Sequence, residues 1–206
     1  GVFDTIAGNL NLSIAAAGSV DTKSFSIFGD FSYDLTDRLH LSLGGRYTRD
    51  DKDASVLRQF YLGATRSPLT GGAPRAVFAT RTNYTASDTF EKFTPRASLS
   101  YDFSEQMTGY ASVSQGFKSG GWDMRGDAAL VPQTVNGYQP ETVTTYEVGL
   151  KGSAFDRRMN FASAIFYSDY KDQQITTQQV ATPPAVGIAS VVDNAGASTC
   201  LLYTSD

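Results

Sequence analysis

Residues 110–122 read YASVSQGFKSGGW and residues 144–152 read TTYEVGLKG, with a polar, Gly-rich interval between them that ends in Gln139-Pro140-Glu141. In the second segment Tyr146, Val148 and Leu150 alternate with Glu147, Gly149 and Lys151, the two-residue period of a strand with one apolar and one polar face. The first segment reads as a strand that leaves its sheet at Gly116. Together they predict one hairpin with a long loop. The alternation does not fix the face of residues 107–117, because Tyr110 falls out of step with Ala111 and Val113.

The same period recurs on both sides of this hairpin. Phe25, Ile27, Phe31 and Tyr33 alternate with Ser24, Ser26, Asp30 and Ser32; after a tight connection at 35–38, Leu39, Leu41, Leu43, Gly45 and Tyr47 alternate with His40, Ser42, Gly44, Arg46 and Thr48. Phe93, Pro95, Ala97, Leu99, Tyr101 and Phe103 form a further apolar face, and a turn at 104–106 leads into 107–118. The strand at 142–152 turns at 154–157 into 159–171, with Phe161, Ile165 and Tyr167.

Short turns thus lie at 35–38, 104–106 and 154–157, and long polar connections at 50–90, 119–140 and 172–187. A structureless insertion of about forty residues is foreign to a compact soluble domain. A transmembrane β-barrel puts long loops on one side and short turns on the other. Aromatic residues sort the same way, with Tyr33, Tyr101, Phe103 and Phe155 near the short turns and Tyr47, Phe117 and Tyr167 toward the long loops.

In this order, Tyr110-Ala111-Ser112, Gly116-Phe117-Lys118, Pro140-Glu141 and Tyr146-Glu147-Val148-Gly149-Leu150-Lys151 resemble the barrel signature of TonB-dependent outer-membrane receptors. The resemblance implies an all-β, antiparallel up-and-down meander over residues 1–199, forming part of a transmembrane β-barrel. The segment would supply about six strands and the start of a seventh of the family's roughly 22 around a plug, so it is not closed by itself. Further implications are a Gram-negative outer-membrane location, contact with outer-membrane lipid, and energy from the TonB complex through an N-terminal plug that this chain lacks. The cargo would be a scarce small molecule, most readily a ferric siderophore, with cobalamin or a glycan as other possibilities.

Residues 1–21 show no sustained period and are expected to be the end of a loop, with at most a short strand in it. Residues 190–196 are expected to begin a further barrel strand. The pattern is then lost at Cys200-Leu201-Leu202-Tyr203-Thr204-Ser205-Asp206, and 200–206 read as a non-native tail produced by sequencing read-through.

Composition narrows the function. A net charge of −4 with no basic patch excludes a nucleic-acid binder. The 19 glycines and 12% aromatic residues suit strands and turns. The single His40 and single Cys200 supply neither a His-based metal cluster nor an internal disulfide, and no cofactor is implied. Asp50, Asp51 and Asp53 lack the glycine and distal glutamate of a calcium loop. No nucleophile motif accompanies His40, so an enzyme is not expected.

Substrate contacts are expected in the long loops, with Trp122, Arg125 and Tyr138 as the candidates. Trp and Tyr stack on rings and Arg pairs with carboxylates or phosphates, although these residue types also pack loops and build aromatic girdles. Arg46, Glu147 and Lys151 are expected on the lumen face. The other architecture with this alternation is a soluble β-sandwich carbohydrate-binding module, which would bury its apolar face against a second sheet.

Overall fold

A computed structural model describes residues 13–62, 76–156 and 158–205. Nine strands are present among them: β1 (Ser13–Asp34), β2 (Leu39–Leu62), β3 (Ala76–Ser104), β4 (Met107–Lys118), β5 (Glu141–Ala154), β6 (Met159–Lys171), β7 (Gln173–Val180), β8 (Ile188–Ala195) and β9 (Ser198–Ser205). One antiparallel sheet runs β1-β2-β3-β4-β5-β6-β9, and β7 pairs with β8 in a separate hairpin. This is the expected open meander.

Register explains the two faces. Directly paired residues share a face, so Tyr146 aligns with Val113 and Tyr167, Val148 with Ala111 and Ile165, and Leu41 with Tyr33 and Leu99. Ile27 and Val148 are each 63% exposed and Ile165 59%, and the exposed aromatic rings Phe25, Phe31, Tyr33, Phe93, Tyr101 and Tyr146 occupy the same side. An apolar face this continuous, with no second sheet on it among the described residues, belongs against hydrocarbon rather than water. That removes the β-sandwich, whose apolar face would be covered. From Phe25 to Tyr33 the outward band covers about 26 Å of strand, enough for a tilted strand to cross a bilayer.

The opposite face is hydroxylic and charged. Arg46 donates to the Ser26 hydroxyl (2.7 Å), and Thr145 and Ser168 pair at 2.9 Å. Tyr110 lies on this lumen face, opposite Gly149, and donates to the Glu147 carboxylate at 2.6 Å. That settles the face of residues 107–117: Tyr110 is inward, and Ala111, Val113 and Phe117 are outward. A Cβ on Gly149 would lie 2.5 Å from the Tyr110 ring, so the glycine leaves the space the ring fills.

Aromatic rings also cross glycines on the outward face, Phe93 over Gly45 and Phe103 over Gly109. Ring contacts within strands, Phe31 with Tyr33 (6.1 Å) and Tyr101 with Phe103 (5.1 Å), sit at the short-turn end. These turns are closed locally: the Thr36 hydroxyl accepts from the Leu39 amide (3.0 Å), and Ser104 from the Gln106 amide (3.2 Å).

Four sequence expectations are corrected. β1 starts at Ser13, so 13–21 are strand rather than loop; residues 1–12 lie outside the described residues. Of the expected loop 50–90, residues up to Leu62 and from Ala76 are strand, because β1, β2 and β3 continue pairing far past the apolar band. Half of the expected loop 172–187 is strand β7. Residues 190–195 belong to β8, which pairs with β7 and not with the barrel sheet; the seventh strand of that sheet is β9, on β6.

Candidate ligand-binding site

Above the apolar band, β1–β3 stand free as a three-stranded extension, whereas β4 and β5 stop pairing at Lys118 and Glu141. The β4–β5 loop, residues 119–140, folds onto the lumen face of this extension and under the β7–β8 hairpin. The buried side chains of the described residues concentrate here. Val56, Thr82 and Phe90 on the extension meet Trp122, Asp123, Asp127 and Thr134 of the loop, and Val131 packs with Ala189 and Val191 of the hairpin.

Each partner is held by local chemistry. Lys52 Nζ donates to the Gly120 carbonyl (2.7 Å) and stands 5.6 Å from the Phe90 ring centroid. The loop closes on itself through paired backbone bonds between Gly121 and Tyr138 (3.0 and 2.7 Å). Gly137, at φ 71°, lies against the Trp122 indole, where a side chain would be both strained and obstructed. A 3-10 turn at Pro132–Asn136 bends the loop between these contacts.

The hairpin is tied down by two amides. Asn194 accepts from the Gln139 amide (2.7 Å) and donates to the Asp172 carbonyl (2.7 Å), while Gln174 donates to the carbonyls of Ser119 and Gln139, both at 3.0 Å. Glu141 accepts from the Gln174 amide at 3.1 Å, so the Pro140-Glu141 pair anchors the hairpin to β5.

Charge collects on the same face. A bulge in β3 opposite Arg58 and Gln59 turns Arg81 inward, where its Nε and Nη2 both reach Asp127 Oδ2 at 3.1 Å. Arg58 Nη1 lies 3.9 Å from the same oxygen. Arg125 Nε bonds Asp123 Oδ1 at 3.2 Å. Several buried polar atoms find no hydrogen-bond partner: Arg58 Nε, Tyr84 Oη, Ser119 Oγ, Asp123 Oδ2 and Thr134 Oγ1. Burial, and secondarily the Asp123 carboxylate, raises the phenols of Tyr84 and Tyr138 above their ordinary range.

The three sequence candidates meet different fates. Trp122 is 7% exposed and packs on Phe90, with ring centroids 6.4 Å apart, as a core residue of the loop. Tyr138 is half-buried beside Gly121. The Arg125 side chain is 69% exposed and lies at the edge of the same module. Sequence reasoning missed Arg58, Arg81, Asp123 and Asp127. Arg58 and Arg81 fall in the stretch read as loop, and only the bulge brings Arg81 to the loop's face.

His40 is held between two carboxylates. His40 Nδ1 is taken by Asp34 (2.6 Å) and Nε2 by Asp102 (3.1 Å), so neither ring nitrogen is left to activate a hydroxyl. No group of three or more His, Cys, Asp or Glu side chains among these residues is placed to hold a metal ion.

An open meander with a lipid-type outer face, a polar inner face and all folded loop mass at one end defines a segment of an outer-membrane β-barrel. The chain belongs to the family of TonB-dependent receptor-like β-barrels, whose model matches residues 1–199. Barrels of this family are outer-membrane transport receptors of Gram-negative bacteria.

Among solved structures, the chain is similar to the ferric yersiniabactin uptake receptor of Yersinia pestis, at TM-score 0.69 and 17% identity over 92% of this chain and 24% of that one. It also matches the alcaligin outer membrane receptor of Bordetella pertussis, at TM-score 0.48 and 20% identity over 92% of this chain and 31% of that one. A siderophore receptor of Pseudomonas aeruginosa matches at TM-score 0.45 and 12% identity, over 91% of this chain and 40% of that one. The chain therefore spans less than half the length of each of these receptors.

Proposed function

We propose that this barrel segment serves a receptor that imports a ferric siderophore across the outer membrane, energised by the TonB complex acting through a plug domain. The observation that carries the reading is the one-sided module built on a family barrel. A folded extracellular layer with its own buried core rises over the lumen mouth, and the short turns at the other end carry none. The ferric yersiniabactin uptake receptor, at TM-score 0.69, supports the fold, and the cargo in its name motivates the class proposed here.

Within this reading the exposed Arg125 and the half-buried Tyr138 are the loop groups offered to cargo, and Trp122 holds the loop that presents them. Residues 200–206 are proposed to be foreign to the receptor. In β9 the apolar Leu201 and Tyr203 face outward with Tyr167 and Ile165, but Leu202 is placed on the lumen face opposite Phe166, which spoils the alternation.

The test is iron-limited growth and radio-iron uptake in a Gram-negative host, with and without the receptor that carries this segment. Uptake of a ferric siderophore that depends on both the receptor and the TonB complex is expected. Receptor-dependent uptake of cobalamin or an oligosaccharide, with no change in iron uptake, would remove the siderophore assignment and leave the family in place.

A further inference from the structure

One crevice of the extracellular layer holds more guanidinium than its own carboxylates use. It lies between the β2 extension, loop 119–140 and the β7–β8 hairpin, encloses about 330 Å³, and is lined by Arg58, Arg125, Asp127, Gln178, Ala189 and Ser190.

Asp127 is already committed. Its Oδ2 receives both Arg81 donors at 3.1 Å, and its Oδ1 accepts from the Leu130 amide at 3.2 Å. Arg58 Nη1, 3.9 Å from that Oδ2, is beyond hydrogen-bond reach and donates to the Arg125 carbonyl at 3.1 Å instead. The Arg58 Nε is buried without a partner. A guanidinium has five donors in a planar fork, and a protein interior rarely leaves a buried one idle.

Arg125 uses its Nε on Asp123 and leaves the rest of its guanidinium exposed at the rim. Among the described residues three guanidiniums face two carboxylates here, so one positive charge is left over. Gln178 donates to the Ser190 hydroxyl oxygen at 2.7 Å, which frees the Ser190 O–H to donate elsewhere.

We propose that this crevice binds a small carboxylate anion, held by the free edge of the Arg58 fork with Arg125 and Ser190 as further donors. A planar two-oxygen acceptor matches that edge, and a spherical anion would not. Lipid phosphates do not reach it. Arg58 lies on the lumen face about 36 Å along β2 beyond Tyr47, which marks the upper edge of the outward band. The biological meaning rests on the receptor reading above, which this site deepens: the cargo carries an ionised carboxylate that meets Arg58 and Arg125 in the outer loops.

The experiment titrates tricarballylate into the detergent-solubilised receptor at low ionic strength, by calorimetry, with the uncharged triamide as control. The wild type and the variants Arg58→Gln, Arg58→Lys and Arg58→Gln/Arg125→Gln are compared with Arg38→Gln in a short turn at the far end. Tricarballylate binding is expected to weaken at least about tenfold in Arg58→Gln, a loss of roughly 1.4 kcal/mol. It should vanish in the double variant, fall between in Arg58→Lys, and stay unchanged in Arg38→Gln; the triamide should not bind.

Heat-modifiable migration on gels certifies that each variant is folded. Should Arg58→Gln fail that check, Arg58→Lys and the single Arg125→Gln decide by the same criterion. Equal tricarballylate affinity across the folded variants, or no wild-type binding at millimolar concentration, would overturn the site. Ferric siderophore uptake persisting in that case leaves the receptor reading intact, whereas tricarballylate binding through Arg58 without any iron uptake would sustain the site and sink the cargo assignment.

Discussion

Placing a methyl group at position 149 tests the packing that decides the central hairpin. In Gly149→Ala the new Cβ would lie 2.5 Å from Cε1, Cζ and Oη of Tyr110. Ordinary contact needs about 3.5 Å or more, so the ring must move by about 1 Å. Its hydroxyl, now 2.6 Å from Glu147 Oε1, would then stand at about 3.6 Å, where no hydrogen bond remains. Overpacking of this kind costs about 1–3 kcal/mol, and the lost bond about 1 kcal/mol at this part-buried position. The reduced freedom of the unfolded chain returns about 0.5–1 kcal/mol. The net expectation is a loss of about 1–3.5 kcal/mol.

In a Tyr110→Ala background the obstruction is gone, so Gly149→Ala should be neutral or slightly stabilising. The coupling between the two positions is therefore about 2–4 kcal/mol. It would be read from urea midpoints of the heat-modifiable folded band for the receptor in lipid vesicles, across wild type, both single variants and the double variant. An equal cost for Gly149→Ala with and without Tyr110 would refute the argument that the glycine exists to seat the ring.

Further outcomes follow from the same geometry. Val148→Arg puts a charge on the lipid face near mid-strand and should cost about 2–4 kcal/mol in the vesicle assay, whereas Glu147→Gln, one residue away on the lumen face, should cost about 1 kcal/mol or less. Asp127→Ala strands Arg81, while the Leu130 amide keeps its bond to the residue-127 backbone carbonyl (3.0 Å); Arg81 and its neighbour Arg58 are partly solvated, so the loss is about 1–3 kcal/mol. It should appear as faster proteolysis of loop 119–140 with no change in heat-modifiability. Trp122→Ala should open the same loop by about 3 kcal/mol or more, measured by hydrogen exchange over residues 119–140.

The legible part of the fold was the part inside the bilayer. Where lipid contacts one face, each second residue must be apolar, and Phe25 to Tyr33, Leu39 to Tyr47 and Tyr146 to Leu150 announce both the strand and its orientation. Above the band that requirement lapses. Residues 50–62 and 76–90 are held in strands by their neighbours' backbone groups, with Asp, Thr and Ser on either face, and such sequence is indistinguishable from loop. Val191 and Val192 misled for the converse reason. They are apolar because Val191 enters the small core around Val131, not because β8 meets lipid. Trp122 and Arg125 were singled out by chemistry alone; Arg58, whose Nε finds no partner among the described residues, sits more than sixty residues before Arg125 and has no local motif to reveal it.

Two kinds of stability follow from this division. Within the band, side chains on both faces remain accessible in the segment, and the strands hold through backbone pairing and the lipid outside, with ring-over-glycine contacts setting register. The outer layer instead depends on conventional burial: Phe90 with Trp122, Val131 with Val191, and Asp127 among its donors. A perturbation in one should not propagate far into the other, because backbone pairing of β4 and β5 ends where the loop begins. Loop substitutions should therefore change ligand capture and protease sensitivity while the barrel keeps its heat-resistant form. Substitutions at Gly149 or Val148 should shift the urea midpoint and leave loop 119–140 protected until the barrel itself opens. A loop variant that lowered the barrel's midpoint as far as Val148→Arg does would show that the two layers unfold as one unit, and the separation argued from their packing would be wrong.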